Sequence, residues 1–275
     1  EYNFSFGQNA NKNITGTNGQ NFAAGKYALE NSTTGYMNIG IGPMAGQNNL
    51  ASHYNVFIGN KAGSKATGGS NVAIGGDSGG ASSSAGGASQ WNVSVGSKAG
   101  RDITTGSNNT NIGYGAGWYA TALTTGSSNT NIGYNARNTS PTVSNQFTLG
   151  STNITNLRCN DTSISSLSDE RDKTDIQDTT LGLDFIKDVR PVDFTWDRRD
   201  GTMGSMKDVG FIAQELWDTE LKHSSAHRTR MVQFDNPDKL EAAPNRMFPV
   251  LVKAVQELAA KNEELEARLA VLEGN

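Results

Sequence analysis

A serine and a lysine stand five residues apart in "LSDERDK", Leu167 to Lys173. A serine hydroxyl becomes a nucleophile when a base removes its proton. A lysine amine is that base only when neutral. Its pKa has to fall from about 10.4 towards neutrality, by desolvation or a neighbouring positive charge. Arg171 could supply such a charge, while Asp169, Glu170 and Asp172 act in the opposite sense. Regular structure does not join the pair. Five residues along a helix set the two side chains about 140° apart, and on a strand they point to opposite sides. A turn, or a lysine from a neighbouring chain, has to bring Lys173 to Ser168. By itself the phrase reads as a solvated charged linker.

Other residue types carry weaker chemistry. His223 and His227 are spaced i, i+4, but no Glu follows His223 as it would in a zinc-protease helix. No metal and no cofactor is expected. Glycine-rich strings such as "GIGPMAG" lack the long strand–helix unit of a nucleotide site. Trp91, Trp118 and Tyr119 lie in or beside longer insertions, where they could stack on sugars or cover an interface between chains.

The elements that position these residues differ between the two halves of the 275-residue chain. Residues 1–167 carry a balance of +3 and residues 168–275 one of -7, and 27 of the 32 glycines lie at or before Gly150. Two kinds of polypeptide meet in roughly 151–167. The net charge of -4 gives no general attraction to nucleic acid. No apolar run approaches the roughly 20 residues of a membrane span, so membrane insertion is not expected. The single Cys159 excludes an internal disulfide framework. The chain opens on Glu1 rather than Met, as expected of a segment of a longer protein.

The first half is a repeat. The phrase Asn, variable, small, apolar, Gly occurs as "NFSFG" at Asn3, "NFAAG" at Asn21, "NIGIG" at Asn38, "NVFIG" at Asn55 and "NVAIG" at Asn71. It continues as "NVSVG" at Asn92, "NIGYG" at Asn111, "NIGYN" at Asn131 and "QFTLG" at Gln146, with spacings of 15 to 21 residues. Each copy reads as a very short strand with one buried face, followed by a glycine at a tight turn. One such strand cannot bury its own face, but stacked coils can. The reading is a parallel β-solenoid over 1–150, in which the recurring Asn hydrogen-bonds along the stack. Its thin core favours oligomers. From about Asn21 to Asn135 the motif resembles the "NxxIG" repeats of YadA-like trimeric adhesin heads, which implies a trimeric parallel β-roll.

Residues 168–275 have the composition of a small α+β domain. Leu181, Phe185 and Ile186 lie at helical spacing, "VDFTW" alternates like a strand, and "DVGFIAQEL" runs from strand into helix. "RTRMVQFD" reads as a further strand. From Pro249, Leu251, Val255, Leu258, Asn262, Leu265, Leu269 and Leu272 follow spacings of 4 and 3 in alternation. That is an a/d seam, read as a trimeric coiled coil over about 249–273, with Asn262 setting register. The alternative is an amphipathic helix packed on its own domain.

Four phrases occur in order here: "SDERDKTDI", "VRPVDFTW", "VGFIAQEL" and "FPVLVKAVQELAAKNEELEARL". Together they resemble the C-terminal intramolecular chaperone of phage tail fibres and tailspikes, the peptidase S74 family. The resemblance implies a self-cleaving serine peptidase with Ser168 as nucleophile and Lys173 as base, cutting between Leu167 and Ser168. It implies a homotrimer assembled in the host cytoplasm and carried on the virion. The solenoid would then be a fibre tip that meets a polysaccharide or protein receptor on the host surface. Parallel sheets with shared cores form slowly, so a coiled coil that first sets three chains in register has an evident use. Two other readings are a bacterial trimeric adhesin without proteolysis and a tailspike that depolymerises polysaccharide.

Overall fold

The computed structural model describes residues 2–16, 19–80, 88–118, 123–161, 163–199, 201, 204–224 and 229–274. It divides into two units, Glu1–Ile154 and Thr155–Asn275. The long insertions foreseen in the repeat fall partly outside the described residues, as do Tyr119 and His227.

The first unit is a parallel β-solenoid. Nine three-residue strands, β1 to β9, span Phe4–Phe6, Phe22–Ala24, Ile39–Ile41, Val56–Ile58, Val72–Ile74, Val93–Val95, Thr110–Ile112, Thr130–Ile132 and Phe147–Leu149. Each pairs in parallel with the next, giving one sheet in chain order. The middle residue of each strand points inward. Ala23, Gly40, Phe57, Ala73 and Ser94 stack there, followed by Asn111 and Asn131. Phe57, Leu29 and Leu123 are the largest fully buried apolar side chains of this unit. The first and third residues of each strand face outward in two columns. In the third column Phe6, Ala24, Ile41, Ile58, Ile74, Val95, Ile112, Ile132 and Leu149 make every rung apolar.

An asparagine ladder runs the length of the stack. Asn21, Asn38, Asn55, Asn71, Asn92, Asn109 and Asn129 each donate a backbone N–H to the Oδ1 of the Asn one coil earlier, at 2.8–3.0 Å. Most also donate Nδ2 to that same oxygen, as Asn38 does to Asn21 at 3.1 Å. Ladder spacings run from 16 to 21 residues. Two copies read from the sequence shift by two residues: the ladder uses Asn109 and Asn129, not Asn111 and Asn131. Both Asn residues of each "NTNIG" point inward under the two-residue strand period. The first meets the preceding rung; the second takes the place of Ser94 in the interior. Asn131 Nδ2 then donates to Asn111 Oδ1 at 3.0 Å, a second, shorter stack. The ladder ends at Gln146, whose N–H donates to Asn129 Oδ1 at 3.0 Å. Its longer side chain turns back to Thr139 instead, with Oε1 accepting from the Thr139 N–H at 3.0 Å.

Glycines close each strand at a corner that no side chain fits. Gly59 has φ +129, and a Cβ there would stand 2.7 Å from the carbonyl carbon and oxygen of Gly75 in the next coil. Gly59→Ala is therefore expected to cost at least about 1–3 kcal/mol for the backbone conformation, with the clash added to it. A lowered melting temperature of the solenoid checks this.

The second unit is α+β. Helix α1 (Leu183–Asp188) leads to β10 (Pro191–Thr195), which pairs antiparallel with β11 (Lys207–Phe211). Helix α2 (Ala213–His223) follows, then the short pair β12 (Val232–Gln233) and β13 (Glu241–Ala242), and the long helix α3 (Phe248–Glu273). Helix α2 reaches further than its sequence signal, through His223. Pro191 opens a strand, where Pro costs least, as well as ending the helical stretch. The core gathers Leu181, Phe185, Leu216, Met231, Val232, Met247 and Val250. Helix α3 shows two faces. Val250 and Ala254 are buried, and Glu257 accepts the Leu183 N–H at 2.7 Å, capping α1. The a/d residues Val255, Leu258, Leu265, Leu269 and Leu272 are more than half exposed. The helix thus packs on its own domain at its start while its seam stays open.

Candidate functional site

Residues 153–161 and 163–180 are exposed, and the helical segment among them is a short 3-10 turn, Glu170–Asp172. Asp169 makes that turn. Its Oδ1 accepts from the Arg171 N–H at 2.9 Å, the N-cap arrangement that Asp favours. The Lys173 N–H then donates to the Glu170 carbonyl at 3.0 Å. The chain reverses, and Lys173 comes back to Ser168.

Lys173 Nζ lies 2.7 Å from Ser168 Oγ and 2.9 Å from the Ser168 carbonyl oxygen. As an ammonium it donates to both. A neutral amine at the same place is within reach of the hydroxyl proton. The lysine comes from the same chain, and a turn supplies the approach that neither helix nor strand allows. Leu167, on the other side of the serine, is 99% exposed. Among the described residues its carbonyl accepts only a long contact, 3.4 Å, from Ser166 Oγ.

Arg171 does not act as the sequence suggests. Its Nη2 and Nε pair with the Asp169 carboxylate at 2.6 and 3.0 Å. The Arg171 side-chain contact, with the backbone N–H next, holds the Asp169 carboxyl below the usual aspartate range. Arg171 therefore spends its charge on the turn rather than on the lysine. Asp169 is the site residue that catalytic spacing overlooks; its signal is an Asp one residue ahead of a short turn.

The site joins the domain through exposed residues 174–180 to Leu181, the first buried side chain after the turn. Beyond it, ion pairs tie the elements together. Arg190 grips Glu215 at the start of α2 in a two-pronged pair at 2.9 and 2.5 Å. Asp188 receives Lys222 and His223 at the end of α2, both at 2.6 Å. Lys222 and then His223 lower the Asp188 carboxyl's pKa. His223 is thus taken up by a carboxylate and by an edge contact with Phe185 at 5.7 Å.

Residues 168–222 match the peptidase S74 family, described as the chaperone of endosialidase. The S74 segment starts at Ser168 and takes in the Asp169 turn, α1, β10, β11 and nearly all of α2. The strands β12 and β13 and helix α3 lie beyond it. No curated protein and no solved structure gives a match. Among the described residues no helix is long and apolar enough to cross a membrane.

Away from the S74 segment, the aromatic candidates fare differently. Trp91 is 58% exposed. Trp118 is half-buried beneath two cations, with Lys98 Nζ 4.8 Å and Arg101 Cζ 5.2 Å from its ring centroid. Sequence reading missed both cations, because only the coil register sets them beside the tryptophan. Asn262 donates Nδ2 to Glu266 Oε1 at 2.8 Å within α3.

Proposed function

We propose that the chain is the distal part of a phage tail fibre or tailspike, joined to a chaperone that cuts itself off between Leu167 and Ser168. What carries this reading is Lys173 Nζ at 2.7 Å from Ser168 Oγ, where the S74 match begins and beside a fully exposed Leu167. In the reaction, neutral Lys173 takes the Ser168 hydroxyl proton and Oγ bonds to the Leu167 carbonyl carbon. The Leu167–Ser168 C–N bond breaks as its nitrogen gains a proton. Water then hydrolyses the ester, leaving a Leu167 carboxylate and a free Ser168 amine.

The working unit is a homotrimer. The outward sheet columns of the solenoid and the a/d seam of α3 carry rows of exposed apolar side chains, the kind of surface that contiguous patches use for association. Three copies set in register by a coiled coil through Asn262 would cover both. A neutral amine is favoured where water is excluded, and both dyad residues are exposed in one chain. Trimer assembly would supply the cover, so that cutting reports correct assembly. The fragment left on the virion, assembled in the host cytoplasm, would face the host receptor. Intact mass of the purified protein tests the reading: two fragments meeting at Leu167–Ser168 are expected, and a chain left whole in a proven trimer would sink it.

Asp169 gives a further expectation. Asp169→Ala should slow cutting about tenfold, the scale of losing a positioning contact. Asp169→Asn keeps an oxygen for the Arg171 N–H and should slow it less. Because the Asp169 carboxyl titrates below its ordinary value, its hold on the turn is complete above about pH 4 and is lost only as pH falls through the depressed value. Rate profiles of wild type and Asp169→Asn should therefore run parallel from neutral pH down to about pH 4.

A further inference from the structure

The cluster around Trp118 has a feature that packing does not require. Lys98 and Arg101, on the coil of β6, are both half-buried. Half-buried cations lay their stems along apolar surface and keep their charged heads at the surface. Among the described residues neither forms an ion pair. Aromatic faces hold them instead: Trp118 for both, and Tyr114, at 5.8 Å, for Lys98. Arg101 Nε is buried with no acceptor. Cation–π contact orients a charge without neutralising it, so two positive charges remain for an outside partner.

Beside them Tyr114 stacks on Tyr134, with centroids 5.6 Å apart and planes 15° from parallel. Tyr134 is 63% exposed. The repeat does not ask for aromatic rings here. The residue after the corner glycine is Asn60, Gly76 and Ser97 in the coils of β4, β5 and β6. Two fixed cations next to an open aromatic face are what an acidic sugar polymer needs: anionic groups for the cations and a ring's C–H face for the tyrosine.

We propose that the patch of Lys98, Arg101, Tyr114, Trp118 and Tyr134 binds an anionic polysaccharide. Carboxylate or sulfate groups pair with Lys98 and Arg101, and a sugar ring lies on Tyr134, with Trp118 holding the cations in place. A nucleic acid is a poorer fit, because two cations make no basic stripe. The inference rests on the receptor-binding reading above and names its ligand class.

The test uses the purified full chain on surfaces carrying polygalacturonate, alginate or heparin, with dextran as the neutral control. At least one anionic polymer should bind, dextran should not, and binding should weaken about tenfold as salt rises from low to several hundred millimolar. The pair Lys98→Gln and Arg101→Gln should lower affinity about tenfold or more. Tyr134→Ala, an exposed change that the fold tolerates, should lower it about threefold to tenfold. The proposal is overturned if no anionic polymer binds, if dextran binds equally, or if these variants bind as wild type does. It also falls if the variants leave polymer binding unmoved and lower the trimer mass in light scattering, since the patch is then a contact between chains. Cleavage at Leu167–Ser168 without polymer binding would leave the chaperone reading standing and remove this one alone.

Discussion

Lys173→Ala is expected to yield a full-length chain in which the Leu167–Ser168 bond survives purification. Removing a general base costs on the order of 10²–10⁴ in rate. In the proposed reaction the base, Lys173, would also contact the nucleophile directly, since its Nζ lies 2.7 Å from Ser168 Oγ, and no other side chain is bonded to that oxygen among the described residues. Ser168→Ala should give the same uncut product by removing the attacking oxygen. Lys173→Arg separates base from scaffold: guanidinium keeps the charge and the donors but cannot give up its proton in a protein. It too should stay whole. Denaturing gels and intact mass read all three. Fragments of wild-type mass from any of them would end the Ser168–Lys173 assignment. Titrating cutting against oligomer state reads the coupling, and efficient cutting by a proven monomer would refute it.

The second large effect lies in the solenoid. Asn109→Ala should destabilise it by about 3–5 kcal/mol. The side chain's Oδ1 accepts from the Asn129 N–H and Nδ2 at 2.9 and 3.1 Å, and its Nδ2 donates to Gly126 and Asn92 at 2.9 and 3.1 Å. Each buried partner left without a bond costs about 1–3 kcal/mol, and Asn109 is fully buried. Asn111→Ser, two residues on, should cost under about 1.5 kcal/mol. Serine already stands at that interior position in the preceding coil, as Ser94, and Asn131 Nδ2 keeps Asn138 Oδ1 at 2.8 Å. Thermal unfolding of the two variants compares them. Equal losses would mean that the ladder runs through neither residue in particular.

The contrast between those two asparagines shows where sequence reasoning stops. Strand, glycine corner and Asn recur together because each rung repeats one backbone geometry, so the solenoid could be read directly. Register in "NTNIG" could not, because a period of two puts both amides on the same face. Only pairing with the neighbouring coil separates them. The candidate site failed in a different way. Helix and strand periods both keep Ser168 and Lys173 apart, and the turn that joins them comes from Asp169 bonding to the backbone two residues ahead. Asp169 was read there only as an opposing charge, so neither its cap nor its effect on a lysine two positions past Arg171 was foreseen. The cations over Trp118 lay furthest from view, since residues 17 and 20 positions apart meet only once the coils are stacked.

The stack of coils raises a problem that Gln146 answers. A parallel sheet with identical rungs has no intrinsic length, and its last edge presents the same bonding pattern as its interior. Such an edge can recruit another copy end to end and grow without limit. One extra methylene ends the amide ladder at that edge. Gln146 takes the bond offered by Asn129 but folds its own amide back onto Thr139, so the next rung would find no carbonyl waiting. The final copy of the repeat, the one that looks most eroded in sequence, is in these terms a full stop: the side-chain ladder that begins at Asn3 is closed off at Gln146.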